Sequence, residues 1–186
     1  MNVIKILYLL FVPLSVIGCR TVQVIGEGFE LNERKFANTS ELNGKKIYLD
    51  MIYQYGLKET VSKDGKVERT IDKDVEVLYL KFRDSLFKQF RDKYRVNIVL
   101  GKQIERDAYS ILLSPRVYPN TETISKASLI IIKGTKLFYK MDIVNDEIYF
   151  IQMFNQEQFP AKTIEELSDA IAEKTYETVF KNASEQ

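Results

Sequence analysis

The feature that most constrains the fold is the chain's only cysteine, Cys19, which follows a short apolar run at the N-terminus. The run extends from Ile6 to Ile17, and Lys5 is the one charged side chain before it. Twelve helical residues span about 18 Å, well short of the roughly 30 Å hydrocarbon core of a bilayer. A weakly basic start, a short apolar stretch and a small residue at its end are typical of a secretory signal peptide. A domain exported with one cysteine has no internal disulfide, so its stability must come from its core.

The segment Leu14-Ser15-Val16-Ile17-Gly18-Cys19 resembles the lipobox of bacterial lipoproteins. The resemblance implies that the Cys19 thiol receives a diacylglyceryl group and that a dedicated peptidase cuts between Gly18 and Cys19. It also implies acylation of the new amino group, by palmitate or a similar chain. Two or three acyl chains form a stable anchor, whereas one binds only marginally. The alternative is an ordinary signal peptide with a chance cysteine, since Val16 and Gly18 also suit a type I peptidase. That alternative leaves one unpaired thiol.

Three segments follow from this interpretation. Residues 1–18 are the signal peptide, and residues 19–45 are predicted to form a lipidated tether because they hold glycines and polar residues without sustained periodicity. Residues 46–186 form a single domain. Arg20 stands where Asp is the usual retention signal of Gram-negative lipoproteins. The resemblance therefore implies the outer membrane, facing the periplasm, or the cell membrane in a Gram-positive source.

Hydrophobic periodicity predicts two amphipathic helices and several strands. The helices are Asp74–Tyr94, with apolar residues three and four apart, and Thr163–Lys181, which opens with a capping box. Residues 60–69 predict an exposed hairpin flap with Asp64-Gly65 at its turn, and Pro115 predicts an edge or bulge. Val22–Ile25 could pair as a short strand. The other strands are predicted at 46–55, 95–101, 108–118, 127–133, 136–144 and 148–154.

We therefore expect an α+β domain, with a mainly antiparallel sheet of about five to six strands and two helices on one face. The order of elements resembles small envelope-lipoprotein domains. These are the TolB N-terminal-like domain of cell-wall synthase activators and the lipopolysaccharide-assembly lipoprotein of the outer-membrane translocon. A likeness of fold does not define function.

No residue pattern predicts catalysis. The chain has no histidine, which removes the commonest general base and metal ligand and every Ser-His or Cys-His nucleophile. Ser85-Leu86-Phe87-Lys88 matches the Ser-x-x-Lys of penicillin-recognising enzymes, but the companion motifs are missing. Asp72-x-Asp74-x-Glu76 begins like a calcium loop, but Val77 replaces the required glycine. We predict no enzyme, no cofactor and no metal site.

Charge is distributed unevenly, although the formal net charge of +1 gives no reason to expect nucleic acid. Residues 157–177 carry a net charge of −4, and residues 81–95 carry +4. One interpretation is a basic surface for anionic headgroups or an acidic partner. The other, which we favour, is that two adjacent helices carry complementary solvated faces. The candidate surface residues are Lys81, Arg83, Lys88, Arg91, Lys93 and Arg95.

The sequence therefore predicts a lipid-anchored envelope lipoprotein. Its α+β domain would serve as a protein-interaction or assembly module for another envelope protein. The alternative is a lipid or glycolipid carrier with an apolar groove between sheet and helices. A third hypothesis is a hydrolase that uses Ser85 and Lys88.

Overall fold

The computed structural model describes residues 23–25, 27–54, 56–101, 107–117, 123–151 and 156–181. The helices are α1 (Lys73–Lys88) and α2 (Ile164–Thr175), and each continues into a wider turn of π type, at Gln89–Lys93 and Tyr176–Phe180. A short 3-10 turn covers Ser40–Leu42. The strands are β1 (Gln23–Ile25), β2 (Phe29–Lys35), β3 (Ile47–Met51), β4 (Leu57–Val61), β5 (Val67–Ile71), β6 (Ile98–Leu100), β7 (Tyr109–Arg116), β8 (Lys126–Lys133), β9 (Lys136–Asn145), β10 (Ile148–Ile151) and β11 (Gln156–Phe159).

The main sheet has six strands in the order β2-β9-β8-β7-β3-β6. The predicted α+β class with a mostly antiparallel sheet is confirmed, but the sheet is mixed, because β3 runs parallel to both β6 and β7. A three-stranded antiparallel sheet, β1-β10-β11, and the hairpin β4-β5 complete the described strands.

Both helices pack on one face of the main sheet, as predicted, and their apolar stripes form its core. Each helix begins as its sequence indicates. Asp72 accepts a hydrogen bond from the Asp74 amide at the start of α1, and Thr163 and Glu166 form a reciprocal capping box at the start of α2. Among the described residues, the five largest fully buried side chains are all aromatic: Tyr79, Tyr139, Phe82, Phe90 and Phe138. The richness in Tyr and Phe is thus largely core packing.

The prediction of a tether over residues 19–45 is wrong for much of that segment. Strand β2 lies inside the segment assigned to the tether, and it pairs with β9 in antiparallel register from Phe29 to Lys35. Leu42 is only 1 % exposed and belongs to the core. The domain therefore begins well before residue 46. The short strand expected at 22–25 is present as β1, paired with β10.

Several other boundaries differ from the prediction. Helix α1 ends at Lys88, although its π-type extension reaches Lys93, one residue short of the predicted end at Tyr94. The strand predicted at 95–101 is shorter, as β6, and β11 was not predicted. Pro115 lies in an inner strand, but β3 ends opposite Leu113, so β7 is locally an edge at that proline. The predicted flap is present as β4-β5, with Gly65 at φ +79° in its turn, and nearly all of its residues are exposed.

Candidate interaction surface

The side of the main sheet opposite the helices carries a group of apolar side chains, and we call this side the open face. Alternation along the strands directs one set of residues toward the helices and the other set toward this side. The apolar residues of the second set are half-buried and lie outside the hydrophobic core. They are Tyr48, Val99, Leu112, Ile130, Ile132, Leu137 and Val144.

Strand register brings most of these side chains together. Leu112 lies directly opposite Ile130, and Ile132 lies opposite Leu137 on the next strand. Tyr48 and Val99 are opposite each other on the parallel pair β3 and β6. Six of the seven side chains thus form an apolar patch of facing pairs, whereas Val144 lies opposite Glu30 and Lys126.

A β-bulge in β9 shapes both faces of the sheet. Ile131 pairs with Tyr139 and Ile132 pairs with Leu137, so Phe138 is an extra residue with no opposite partner on β8. Phe138 and Tyr139 are both fully buried although they are consecutive. The bulge lets two adjacent aromatic side chains enter the core and returns Leu137 to the open face.

Charged side chains border the apolar patch, and a depression lies within that border. Its volume is about 290 Å³, and its polar lining includes Ser114, Ser128, Arg116 and Asp142. The hydroxyl of Ser114 is buried and has no hydrogen-bond partner within the described residues. A mixed apolar and polar surface with a charged border is typical of protein–protein contacts. The charged residues on this side are Glu30, Arg34, Asp50, Arg116, Lys126, Lys140 and Asp142.

The basic surface predicted on α1 is largely paired. Lys81 forms an ion pair with Glu165 at 3.4 Å, and Lys93 forms one with Asp169, so both bridge α1 and its π-type extension to α2. The hydrogen bond to Asp169 raises the pKa of Lys93. These two pairs support the interpretation as complementary helix faces.

The remaining four basic residues do not bridge α1 and its extension to α2. Arg83 and Arg91 each pair with the aspartate that follows it in sequence, at 2.7 Å in both cases. Lys88 and Arg95 form no ion pair within the described part of the chain. Arg95 has φ +57° and lines a second depression of about 190 Å³, where the rings of Tyr94 and Tyr176 stack at 4.6 Å. The structure therefore does not gather the six predicted residues into one unpaired basic patch.

The motifs set aside on sequence grounds occupy ordinary helical positions. Ser85 is half-buried and Lys88 is exposed on the last turn of α1, and neither lines the two depressions described above. Asp72 caps α1 and also pairs with Lys58. No group of carboxylates within the described ranges is arranged to hold a metal ion.

Sequence reasoning missed a polar cluster that joins β2 to the end of α2. Glu33 accepts hydrogen bonds from the Tyr139 hydroxyl at 2.9 Å and the Thr178 hydroxyl at 2.8 Å, and Lys174 lies 3.1 Å from its carboxylate. Burial alone would raise the pKa of Glu33, but hydrogen bonds from Thr178, Lys174 and Tyr139 together lower it. Burial, and then the nearby carboxylate, raise the pKa of Tyr139. The cluster holds the edge strand against the helix.

The predicted lipidation and cleavage residues, Gly18 and Cys19, lie outside the described residues. Among the helices that are described, none combines the length and the apolar character required to cross a bilayer.

Comparisons with known proteins identify no family. No protein-family model matches the sequence, and no curated protein matches it either. One solved structure similar to this chain is the crystal structure of a DUF4136 family protein from Bacteroides thetaiotaomicron. The two share 6 % sequence identity with a TM-score of 0.33, over 85 % of this chain and 97 % of that one. A likeness at that level indicates nothing about function.

Proposed function

We propose that this chain is a lipid-anchored envelope protein whose α+β domain binds another envelope protein through the open face. One observation carries the proposal: half-buried apolar side chains of neighbouring strands, outside the core, face one another on one side of the sheet and are bordered by charge. Contiguous apolar patches with polar rims mark interaction sites more often than single exposed apolar residues do. The lipobox resemblance supplies the anchor.

The lining of the open face favours a protein partner over a lipid. Small-molecule and lipid sites are concave and mostly apolar. The depression on this face instead combines two serines with Arg116, Lys126 and Asp142. A buried hydroxyl such as that of Ser114 would gain a hydrogen bond from a polar group of a partner protein.

The interaction can be tested by photocrosslinking in cells. A photoreactive amino acid at Ile130 should capture a specific partner, whereas the same residue at Val77, which is 63 % exposed on α1, should not. Ile130→Lys should abolish capture by a probe at Leu112, while Val77→Lys should leave it unchanged. Equal capture from both positions, or capture that Ile130→Lys does not affect, would contradict the proposal.

The anchor requires a separate test. Cys19→Ser should block lipidation and release the domain from the membrane fraction, because the thiol that carries the diacylglyceryl group is gone. If the variant is still processed and still sediments with membranes, the anchor interpretation is wrong.

A lipid carrier would give a different result. Native mass spectra after gentle extraction should show the protein without a retained lipid if the open face binds protein. A bound lipid that Ile130→Lys displaces would favour the carrier hypothesis instead.

A further inference from the structure

Strand β2 leaves one edge of the main sheet unpaired among the described strands. The hydrogen bonds at its two ends define which backbone groups point outward. The Phe36 amide donates to the Phe138 carbonyl at 2.9 Å, and the Asp146 amide donates to the Gly28 carbonyl at 3.1 Å. Even-numbered residues therefore bond to β9. By alternation, the N–H and C=O groups of the odd-numbered residues point away from β9 toward the free edge: Phe29, Leu31, Glu33 and Lys35.

We propose that this edge pairs with the β2 edge of a second copy, antiparallel and centred on Asn32. In that register Glu30 lies opposite Arg34 of the second copy, and the two-fold axis creates this pair twice. Both side chains project on the open-face side of the sheet. On the other side Leu31 faces Glu33, and Phe29 faces Lys35. The strand is thus complementary in charge to itself.

Two charged residues of β2, Glu30 and Arg34, form no ion pair within the described part of one copy. Within the sheet Arg34 lies opposite Lys140, a like charge, and Glu30 lies opposite Val144. Within the described residues, the Glu30 carboxylate accepts a hydrogen bond from the Asn32 side chain, at 3.1 Å. Opposite charges facing across strands stabilise the pairing and like charges weaken it. A second copy would supply the countercharge that the single chain does not.

Charge also selects the register. A shift of two residues in one direction places Glu33 opposite Glu33, and a shift in the other direction removes the pairing of Glu30 with Arg34. Parallel pairing in register would place each charge beside its own kind. Charges on an edge strand usually prevent such contacts. Here they favour the arrangement centred on Asn32 over the others considered.

A charge exchange tests the complementarity. The full chain carrying Cys19→Ser, purified in mild detergent, should self-associate in analytical ultracentrifugation. Glu30→Arg and Arg34→Glu, taken singly, should each weaken that association about tenfold, because each turns two opposite-charge contacts into like-charge contacts. The double variant should restore the original affinity. Arg34→Glu also relieves the contact with Lys140, so its loss of association would not reflect poorer folding.

Cysteine crosslinking tests the register. In a non-hydrogen-bonded antiparallel pair, facing Cα atoms are about 4.5 Å apart, within the range of a disulfide. Asn32→Cys in the Cys19→Ser chain should therefore form a covalent dimer under mild oxidation. The matched control, Phe29→Cys, should not, because its own counterpart would lie six residues away along the strand, or about 20 Å, and the charge pair is left intact.

Two outcomes would overturn the proposal. One is a monomer at all accessible concentrations. The other is a dimer that the double charge exchange fails to rescue, or one in which Phe29→Cys crosslinks as well as Asn32→Cys.

Discussion

The two faces of the main sheet consist of the same strands, but their side chains are buried to different extents. On β8, Leu129 and Ile131 are fully buried under the helices, whereas Ile130 and Ile132, their immediate neighbours, are only half-buried on the open face. Packing within the domain explains the first pair. It does not explain the second, because these residues lie outside the core. The difference separates residues that hold the fold together from residues that are available to a partner.

The largest expected effect comes from truncating a side chain on the covered face of the sheet and comparing it with the same change on the open face. Leu129→Ala should lower the free energy of unfolding by about 2–5 kcal/mol, because it opens a cavity in a close-packed core. Ile130→Ala, the matched control on the open face, should lower it by less than about 1 kcal/mol. Urea unfolding of both variants measures the difference. Equal losses would mean that the open face is part of the core.

Asn145 provides a polar version of the same comparison. It is 1 % exposed, donates to the carbonyls of Ile124 and Lys162, and accepts from the Lys162 amide. Asn145→Ala should cost about 1–3 kcal/mol of unfolding free energy for each buried group left without a partner. Asp142→Ala, on the exposed side of the same strand, should cost far less. Thermal unfolding compares the two, and similar melting temperatures would contradict the prediction.

Glu33 links the covered face to the sheet edge, and its contribution should depend on pH. Its pKa is lower in the folded protein than its ordinary value of 4.5, so it stabilises the fold above that value. The contribution is lost as pH falls through the folded pKa. Glu33→Gln keeps one acceptor oxygen but loses the charge, and should cost about 1 kcal/mol at pH 7. The difference from the unmodified protein should shrink as the pH is lowered below 4.5, which urea unfolding at a series of pH values measures.

The smallest expected effect concerns the outer surface of the helices. The ion pair between Lys93 and Asp169 is partly exposed on both sides, so a double-mutant cycle to alanine should give only a small coupling energy. Added salt should reduce the coupling. A much larger or salt-independent value would mean that the basic residues of α1 and its extension stabilise the fold more than solvent-exposed ion pairs do.

Sequence predicts the covered half of this molecule better than the rest. Both helices and the strands beneath them follow from apolar spacing, because burial on one side leaves a periodic pattern. Strand β2 leaves no such pattern, since Leu31 is its one aliphatic residue. The continuous apolar run Leu129–Ile132 is typical of a strand buried on both faces. It therefore does not indicate that one face of this strand is only half-buried. The parallel pairing of β3 with β7 joins strands far apart in sequence, and periodicity says nothing about which strands become neighbours.

The position of β1 limits how far an anchored domain can travel. Strand β1 begins at Gln23, four peptide units after Cys19, which allows at most about 14 Å of extended chain between them. An acylated Cys19 would therefore leave the domain no long reach across the envelope. The domain could move from its anchor by less than the width of its own main sheet. A partner would therefore have to lie at the membrane surface itself.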